Sequence, residues 1–430
     1  MNDRPSSTRI TEAQPRRFEP SRADYDPLSS QSTNDPFTNW ACLRRESPVF
    51  FSPAQNMWIV SRYEDVETVL RDTKRYHVLA SIFMESEVPE ELAKVAPEGL
   101  LDAPLADDDP KGHMRWRKLT IQVFTPAKAE KRAPELREVV DRLIDGFVSE
   151  GRADLVARLA VPLPIIAIAR ILGLPEGDAE RLECWSDNSM RLGTAQIRGQ
   201  GSPLDLWRTE IDYYRYVETV VEDRRSHPRE NDLLTDLINA RDADTPSLTT
   251  RELVALIRAF VVAGNETTRM LIGTLILRLL EDPEQMAAVR ADPSLVKAAV
   301  EEALRHSGPA KGLMRVTTED VQLSGVNIPK GQVVQTLFAS ANRDAAEFER
   351  PEVFDVRRSD SHKHLAFGKG LHFCVGAFLA RVEARVALEQ VLKRLPGLRR
   401  ATAESPQWHP SVVAFGLVRL DVEWDTKTTP

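Results

Sequence analysis

The chain has 430 residues, of which 42% are hydrophobic and 28% charged, which is enough apolar material for a globular core. Its net charge of −8 and its isoelectric point of about 5.7 argue against a general nucleic-acid-binding role. The three cysteines, Cys42, Cys184 and Cys374, are widely spaced and odd in number. They argue against a disulfide framework or a zinc site but leave room for a single metal ligand.

The amino-terminal end is polar and proline-bearing, without the apolar core of a signal peptide. We predict a disordered arm over residues 1–20 and one domain over residues 21–430. The most apolar later stretch, residues 260–280, carries Glu266, Arg269 and Arg278, whereas a membrane span needs about 20 uninterrupted apolar residues. We therefore expect a cytoplasmic protein with no membrane segment.

Strand signals open the chain, because PVFF and MWIVS flank the turn SPAQN and so predict an early hairpin. Helical patterns follow in SRYEDVETVLRD, with a serine cap, in ELREVVDRLIDGFVSEG, ending at Gly151, and in PLDLWRTEIDYYRYVETVVEDRRSHP. The longest predicted helix runs from Thr249 to Leu280, after the capping sequence SLTTREL. Strand signals return in VQLSGVNIPKGQVVQTLF and VVAFGLVRLDVEW. The fold class is therefore mainly α with small β regions (α+β).

The longest helix contains a polar interruption, the sequence AGNET from Ala263 to Thr267. A glycine inside a helix costs about 1 kcal/mol relative to alanine. A buried glutamate such as Glu266 is costly unless it has a partner. The Thr267 hydroxyl can bond to the Ala263 carbonyl four residues back, which loosens the helix locally. On this segment alone, a kinked helix with a satisfied polar cluster and a functional site are equally good interpretations.

Two further patterns follow along the chain. In EEALRHSGP, Glu302 and Arg305 are three residues apart and can pair on one helical face, although such spacing by itself is typical of a solvated helix. In FGKGLHFCVG, Cys374 lies in a glycine-rich turn directly before an amphipathic helix. Free N–H groups and the helix dipole at that position favour a thiolate, which suits a metal ligand.

These elements, in this order, resemble the cytochrome P450 family over nearly the whole chain, and most resemble its soluble bacterial members. The AGNET segment is similar to the family's oxygen-activation segment, and Glu302 with Arg305 matches its Glu-x-x-Arg pair. The family's haem-binding signature Phe-Gly-x-Gly-x-His-x-Cys-x-Gly is matched by Phe367, Gly368, Gly370, His372, Cys374 and Gly376.

The resemblance implies a long central helix, with haem b between two helices and its iron ligated by Cys374. It also implies that Gly370 and Gly376 let the backbone approach the sulfur and the porphyrin, and that Phe367 packs near the ligand. Glu266 and Thr267 would deliver protons during oxygen activation. The expected contacts to the haem propionates are His113, Arg117, Arg315 and His372.

By the same resemblance the chain would be a monooxygenase that inserts one atom of O2 into a small, largely apolar organic substrate, by hydroxylation or O-dealkylation. Electrons would come from NAD(P)H through a ferredoxin reductase and a ferredoxin, because the chain has no flavin or iron–sulfur motif. We expect a monomer. The alternatives are a peroxide-driven peroxygenase and a catalytically silent haem-binding recruitment module. The intact Glu266 and Thr267 argue against both, and the intact Cys374 argues against a silent module.

The substrate is not specified by the sequence. The expected pocket residues are Ile82, Phe83, Ala259, Val262, Ala263, Lys311, Leu313 and Val413. Lys311 could pair with a substrate carboxylate, although a lysine more often points to solvent. Five cations could form a basic patch that attracts an acidic ferredoxin: Lys111, Arg115, Lys118, Lys363 and Lys369. An ordinary solvated face is an equally good interpretation of these residues.

Overall fold

A computed structural model describes residues 21–22, 24–78, 88–102, 110–197, 203–242 and 245–426. The predicted arm over residues 1–20 and the pocket residues Ile82 and Phe83 lie outside these ranges. The division into an arm and a single domain stays a prediction. Within the described ranges, no helix is both long and apolar enough to cross a bilayer.

Helices dominate the described chain, which confirms the predicted fold class. The α-helices are α1 Ser30–Asn34, α2 Pro36–Glu46, α3 Tyr63–Arg71, α4 Glu90–Ala93, α5 Pro110–Thr120, α6 Pro126–Lys131, α7 Ala133–Asp145, α8 Pro162–Ile171, α9 Ala179–Ile197, α10 Leu204–Ser226, α11 Leu233–Asn239, α12 Thr250–Glu281, α13 Pro283–Ala291, α14 Leu295–Ser307, α15 Phe338–Ala341 and α16 Ala377–Arg394.

The strands are short and form three small sheets. They are β1 Val49–Ser52, β2 Met57–Val60, β3 Tyr76–Val78, β4 Arg152–Asp154, β5 Leu313–Thr317, β6 Val321–Leu323, β7 Val326–Ile328, β8 Val333–Thr336, β9 Arg399–Arg400 and β10 Asp421–Glu423. The largest sheet has the order β1-β2-β8-β5-β3, and the predicted hairpin forms its edge with Phe50 opposite Ile59. The other sheets are β4-β10-β9 and β6-β7.

Helix boundaries agree with the sequence where a local cap determines them and differ where a long-range contact intervenes. Helix α12 begins with a capping box, in which Thr249 and Glu252 each bond the backbone N–H of the other. The predicted serine cap of α3 is wrong, because the Ser61 hydroxyl donates to the Pro48 carbonyl instead. Helix α7 ends at Asp145 rather than at Gly151, because the buried Phe147 leaves the helical conformation.

Helix α12 joins two large apolar clusters. Its first part, from Leu253 to Val261, packs with α8, α9 and α10, and its last part, from Leu271 to Leu279, packs with α14 and α16. The polar segment 263–267 lies between these two parts. Because α12 is continuous, these polar residues lie in the middle of the molecule. The apolar side chains around them raise the free-energy cost of any polar group that lacks a hydrogen-bond partner.

Candidate active site

Helix α12 is mostly buried, yet one stripe of it remains accessible. Ala263 and Thr267 are exposed, and Ala259 and Val262 are partly exposed. Ala259, Ala263 and Thr267 are four residues apart and so share one face. The Thr267 hydroxyl donates to the Ala263 carbonyl at 2.7 Å, as predicted from the spacing, and α12 continues unbroken through this point. The stripe therefore borders a space inside the fold.

Glu266 is almost completely buried and only half satisfied. Its Oε2 accepts a 2.6 Å hydrogen bond from Arg269, but its Oε1 has no donor among the described residues. Arg269 also lies 3.6 Å from Asp187 on α9. Burial, opposed by Arg269 and reinforced by Asp187, raises the pKa of Glu266 to about 7. A carboxyl with that pKa can both take up and release a proton near neutral pH.

A cavity of about 150 Å³ adjoins Glu266. Its walls are Glu266, Arg269, Met190, Met270 and the segment 409–414. This volume holds several water molecules, and the carboxylate, the guanidinium and His409 supply polar partners for them. A wider groove of about 490 Å³ lies between α9 and α10, but none of the predicted site residues lines it.

The loop around Cys374 is held by backbone contacts. The Cys374 N–H donates to the Phe367 carbonyl at 2.9 Å, and Gly368 and Gly370 adopt left-handed conformations with φ of 69° and 75°. A Cβ at Gly376 would lie 3.9 Å from the Cys374 sulfur. A Cβ at Gly370 would instead lie 3.2 Å from the Leu70 carbonyl oxygen. Among the described residues, the close approach at Gly370 is therefore to the backbone of α3.

The Cys374 side chain is accessible, although protein crowds its sulfur. Burial raises the pKa of the thiol, while the N–H of Gly376 and the charges of Arg117 and Arg381 act in the opposite direction without outweighing it. Both observations fit a loop that surrounds the sulfur and leaves one side open. The predicted N–H contribution is present, but it does not make Cys374 a thiolate by itself.

The cations expected at the propionates lie on different elements. His113 on α5 and His372 in the loop bring their rings to a centroid distance of 4.1 Å. Arg117, one turn after His113, is close enough for its charge to act on Cys374, and it forms no ion pair with a carboxylate in the described part of the chain. Arg315 on β5 is buried, and its Nη1 donates to the Met314 carbonyl at 2.8 Å.

The Glu302–Arg305 ion pair on α14 is fully buried, with two hydrogen bonds of 2.7 and 2.8 Å. Arg358 joins it by donating to Glu302 at 3.3 Å. Arg305 also donates to the carbonyls of Asn342, Pro351 and Val353. The pair therefore fastens the segment 342–358 to α14. The interpretation of Glu302 and Arg305 as a pair on a solvated helix face is wrong.

The other expected pocket residues are less uniform. Leu313 is 41% exposed and Val413 is partly exposed. Lys311 does not point to solvent, since it is buried and its ammonium donates to the Ser411 carbonyl at 2.8 Å. Burial lowers the pKa of Lys311 to about 8. Its contact with a substrate carboxylate stays a prediction.

The predicted basic patch is largely neutralised in the structure. Each of its four described side chains pairs with a carboxylate: Arg115 with Glu252, Lys118 with Asp242, Lys363 with Glu347 and Lys369 with Glu67. The solvated, charge-balanced interpretation is therefore better supported for these four residues.

Sequence reasoning missed five ionisable residues that complete these networks: Asp187, Glu301, Arg358, His364 and Arg381. The only local signals were the glutamate doublet of EEALR and an arginine seven residues after Cys374. Their partners are far away in the chain, so spacing could not reveal them.

Comparison with known proteins defines the class. Residues 211–396 match the Cytochrome P450 family. The chain is 36% identical to cytochrome P450 monooxygenase PikC of Streptomyces venezuelae, covering 93% of this chain and 94% of that protein. It is 34% identical to the epothilone C/D epoxidase of Sorangium cellulosum, covering 90% and 92% respectively. The structure of cytochrome P450 PksS of the Bacillus subtilis bacillaene polyketide synthase superposes with a TM-score of 0.82 at 30% identity, covering 94% and 100%.

The chain belongs to the cytochrome P450 family and is a monooxygenase, an oxidoreductase whose cofactor is haem b ligated by a cysteine. The residues described above fit this cofactor. Three features suit a planar, anionic, iron-bearing group: an accessible thiol, an accessible apolar stripe on a helix that is otherwise buried, and Arg117, which lies near the sulfur and has no carboxylate partner among the described residues.

Proposed function

We propose that this monooxygenase inserts one oxygen atom of O2 into a small, largely apolar organic substrate, by hydroxylation or O-dealkylation. Electrons come from NAD(P)H through a ferredoxin reductase and a ferredoxin. This sequence has no flavin or iron–sulfur motif, which supports electron delivery by separate redox proteins. Support for an apolar substrate is the accessible apolar stripe Ala259, Val262 and Ala263, with Leu313 and Val413 as further walls.

In this proposal Cys374 ligates the iron, and His113, Arg117, Arg315 and His372 hold the propionates. When bound, the haem supplies the redox chemistry that divides O2 between substrate and water. The side chain of Cys374 would have to be deprotonated to bind iron, and burial of the sulfur opposes that deprotonation. Binding of the metal therefore has to compensate this cost, while the N–H of Gly376 and the charge of Arg117 reduce it.

Proton delivery is assigned to Glu266 and Thr267. The observation that supports this assignment is that an exposed hydroxyl directly follows a buried carboxyl whose pKa is raised to about 7 and which borders a cavity large enough for several water molecules. Water in the cavity can exchange a proton with Glu266 Oε1, which has no donor among the described residues. The Thr267 hydroxyl can accept a hydrogen bond while it donates to Ala263, so it can position a water or an oxygen molecule on the accessible face.

The substrate class is proposed from the relatives together with this pocket. One relative is named an epothilone epoxidase and one structural neighbour belongs to a polyketide synthase system. We infer that the substrate is a secondary metabolite that is largely apolar, as the residues proposed to line the pocket are. Binding is measured by the spin-state change in the haem spectrum when candidate compounds are added.

The test of the proton-delivery assignment is Thr267→Ala. We expect the variant to keep substrate binding and the absorption band of a thiolate-ligated carbon monoxide complex, and to release more hydrogen peroxide and less product per NAD(P)H. Thr274→Ala is the matched control, because Thr274 donates to the Met270 carbonyl four residues back in the same way but is buried. The control should lose stability only.

Unchanged coupling of NAD(P)H to product in Thr267→Ala would contradict the assignment. The ligand is tested separately with Cys374→His, which should abolish the thiolate band. If that band persists, another residue binds the iron. If the protein turns over with peroxide as efficiently as with NAD(P)H and redox proteins, the peroxygenase alternative is preferred.

A further inference from the structure

Helix α9 meets the polar segment of α12 through two consecutive residues. The Asn265 amide donates to the Ser186 hydroxyl with an Nδ2–Oγ distance of 3.3 Å, and both residues are fully buried. The next residue of α9, Asp187, lies 3.6 Å from Arg269, measured from Oδ1 to Nη1. Because the buried Ser186–Asn265 contact fixes α9 at this point, it also holds Asp187 next to α12.

Arg269 contacts two carboxyl groups at once. Its Nη2 donates to Glu266 Oε2 at 2.6 Å, while its Nη1 faces Asp187. Two carboxylates beside one guanidinium carry one more negative charge than the cation compensates, and neighbouring carboxyl groups relieve such an excess by binding a proton. Asp187 and Glu266 are within hydrogen-bonding reach of each other, and a hydrogen bond between two carboxyl groups requires a proton on one of them.

The two carboxyl groups differ in their access to water. The Asp187 side chain is 47% exposed, whereas the Glu266 side chain is 9% exposed. Arg269 cannot pass a proton between them, because a guanidinium stays protonated in proteins. The contact between the carboxyl groups is therefore a direct route by which a proton from solvent reaches Glu266.

Two other titratable side chains face this cluster. Glu183 lies one turn before Asp187 on α9, within range of the charges of Asp187 and Arg269. His409 lines the cavity beside Glu266 and is partly exposed, so it is the rival entrance for protons. In the part of the chain that the structure describes, no hydrogen bond or ion pair joins either side chain to Glu266. This difference favours Asp187.

We propose that protons enter the active site from solvent through Asp187, which passes them to Glu266 while Arg269 holds the two carboxyl groups together. This rests on the proposed function, in which Glu266 and Thr267 deliver protons. In each transfer the O–H bond of the Asp187 carboxyl breaks and an O–H bond forms at Glu266. Solvent then returns a proton to Asp187, and no electron is exchanged. Asp187 thus acts through Glu266.

The experiment compares variants of the haem-loaded protein supplied with NAD(P)H, a ferredoxin reductase and a ferredoxin. Asp187→Asn removes the proton site at nearly the same volume, and Asp187→Glu keeps it. Glu180→Gln is the matched control, because Glu180 is an exposed carboxylate on the same helix, seven residues before Asp187. His409→Gln tests the rival entrance, and Glu266→Gln tests the acceptor.

Two properties are measured. The rate of oxygen consumption is followed in H2O and in D2O, with the compound that gives the largest spin-state change. The free energy of unfolding is measured by urea titration at pH 5 and pH 8, which reports on the protonation of Glu266 independently of turnover.

We expect oxygen consumption about tenfold slower in Asp187→Asn, a smaller loss than the ~100-fold typical of a lost general acid, because cavity water still reaches Glu266. The solvent isotope effect should increase, because proton transfer then limits the rate, and Asp187→Glu should restore both values. Removal of the neighbouring negative charge lowers the pKa of Glu266. Asp187→Asn should therefore lose less stability than the wild type between pH 5 and pH 8.

Wild-type oxygen consumption or an unchanged isotope effect in Asp187→Asn overturns the proposal, and so does an equal change in Glu180→Gln. A larger change in His409→Gln than in Asp187→Asn also overturns it and assigns the entrance to the cavity. If Asp187→Asn does not retain haem, the urea titration decides, and an unchanged pH dependence overturns the proposal.

The proposed function is tested separately by Glu266→Gln. If that variant slows oxygen consumption and Asp187→Asn does not, proton delivery by Glu266 stands and Asp187 is not the entrance. If Glu266→Gln consumes oxygen at the wild-type rate, the proposed proton delivery is wrong, and the role of Asp187 is refuted with it.

Discussion

Two Glu-x-x-Arg pairs with the same spacing occupy opposite situations in this molecule. Glu302 and Arg305 on α14 are fully buried, and the guanidinium donates to the carboxylate and to three backbone carbonyls. Glu266 and Arg269 on α12 are also in contact, but one oxygen of Glu266 lacks a donor among the described residues and a cavity lies beside it. Both carboxylate oxygens of Glu302 accept hydrogen bonds, whereas one oxygen of Glu266 can still bind a proton.

The difference shows that spacing alone does not assign a role. A buried ion pair with every group bonded resists the loss of either partner, because the remaining charge would stay uncompensated. A buried carboxyl with an unsatisfied oxygen is costly when ionised, so its protonation changes within the physiological range. The first arrangement is suited to holding the fold, and the second to moving a proton.

The largest effect is expected from Glu302→Gln. The substitution leaves the buried Arg305 without its carboxylate partner, and breaking such a pair costs about 3–5 kcal/mol. We expect a low yield of haem-containing protein and a decrease of that size in the free energy of unfolding, measured by urea titration. A decrease below about 1 kcal/mol would mean that the pair is not what fastens segment 342–358.

A smaller and pH-dependent effect is expected from Glu266→Gln. The pKa of Glu266 is raised from 4.5 to about 7 by folding, so its favourable contribution is complete below pH 4.5 and is lost as the pH rises through about 7. The wild type should therefore lose about 3 kcal/mol relative to the glutamine variant over this window. Urea unfolding at pH 5 and pH 8 measures it, and parallel pH profiles of the two proteins would contradict the raised pKa.

The smallest effect is expected where the same spacing occurs at the surface. Glu135 lies 3.3 Å from Arg132 at the start of α7, and both side chains are partly exposed. Glu135→Gln should change the free energy of unfolding by less than about 1 kcal/mol, because solvent screens the pair. A loss comparable to that of Glu302→Gln would show that burial is not what separates the three pairs.

Much of the fold and part of the site could be predicted from local patterns. The capping box at Thr249, the hairpin and the glycines around Cys374 all depend on residues close together in the chain, and the structure contains each of them. The Thr267–Ala263 hydrogen bond follows from a spacing of four. The cap of α3 failed because the Ser61 hydroxyl bonds to Pro48, a contact made only when β1 and β2 pair.

Amino-acid type and spacing determined which side chains could pair, where the helices begin, and that one cysteine follows a glycine-rich turn. Only the tertiary structure decided what surrounds them. Arg358 reaches Glu302 across 56 residues, and Arg381 reaches Glu301 across 80. The pKa of Glu266 likewise depends on its burial and on Asp187, which lies 79 residues earlier in the chain on α9. Desolvation and charge act through space, so the properties that separate a structural carboxylate from a proton carrier are set by distant neighbours.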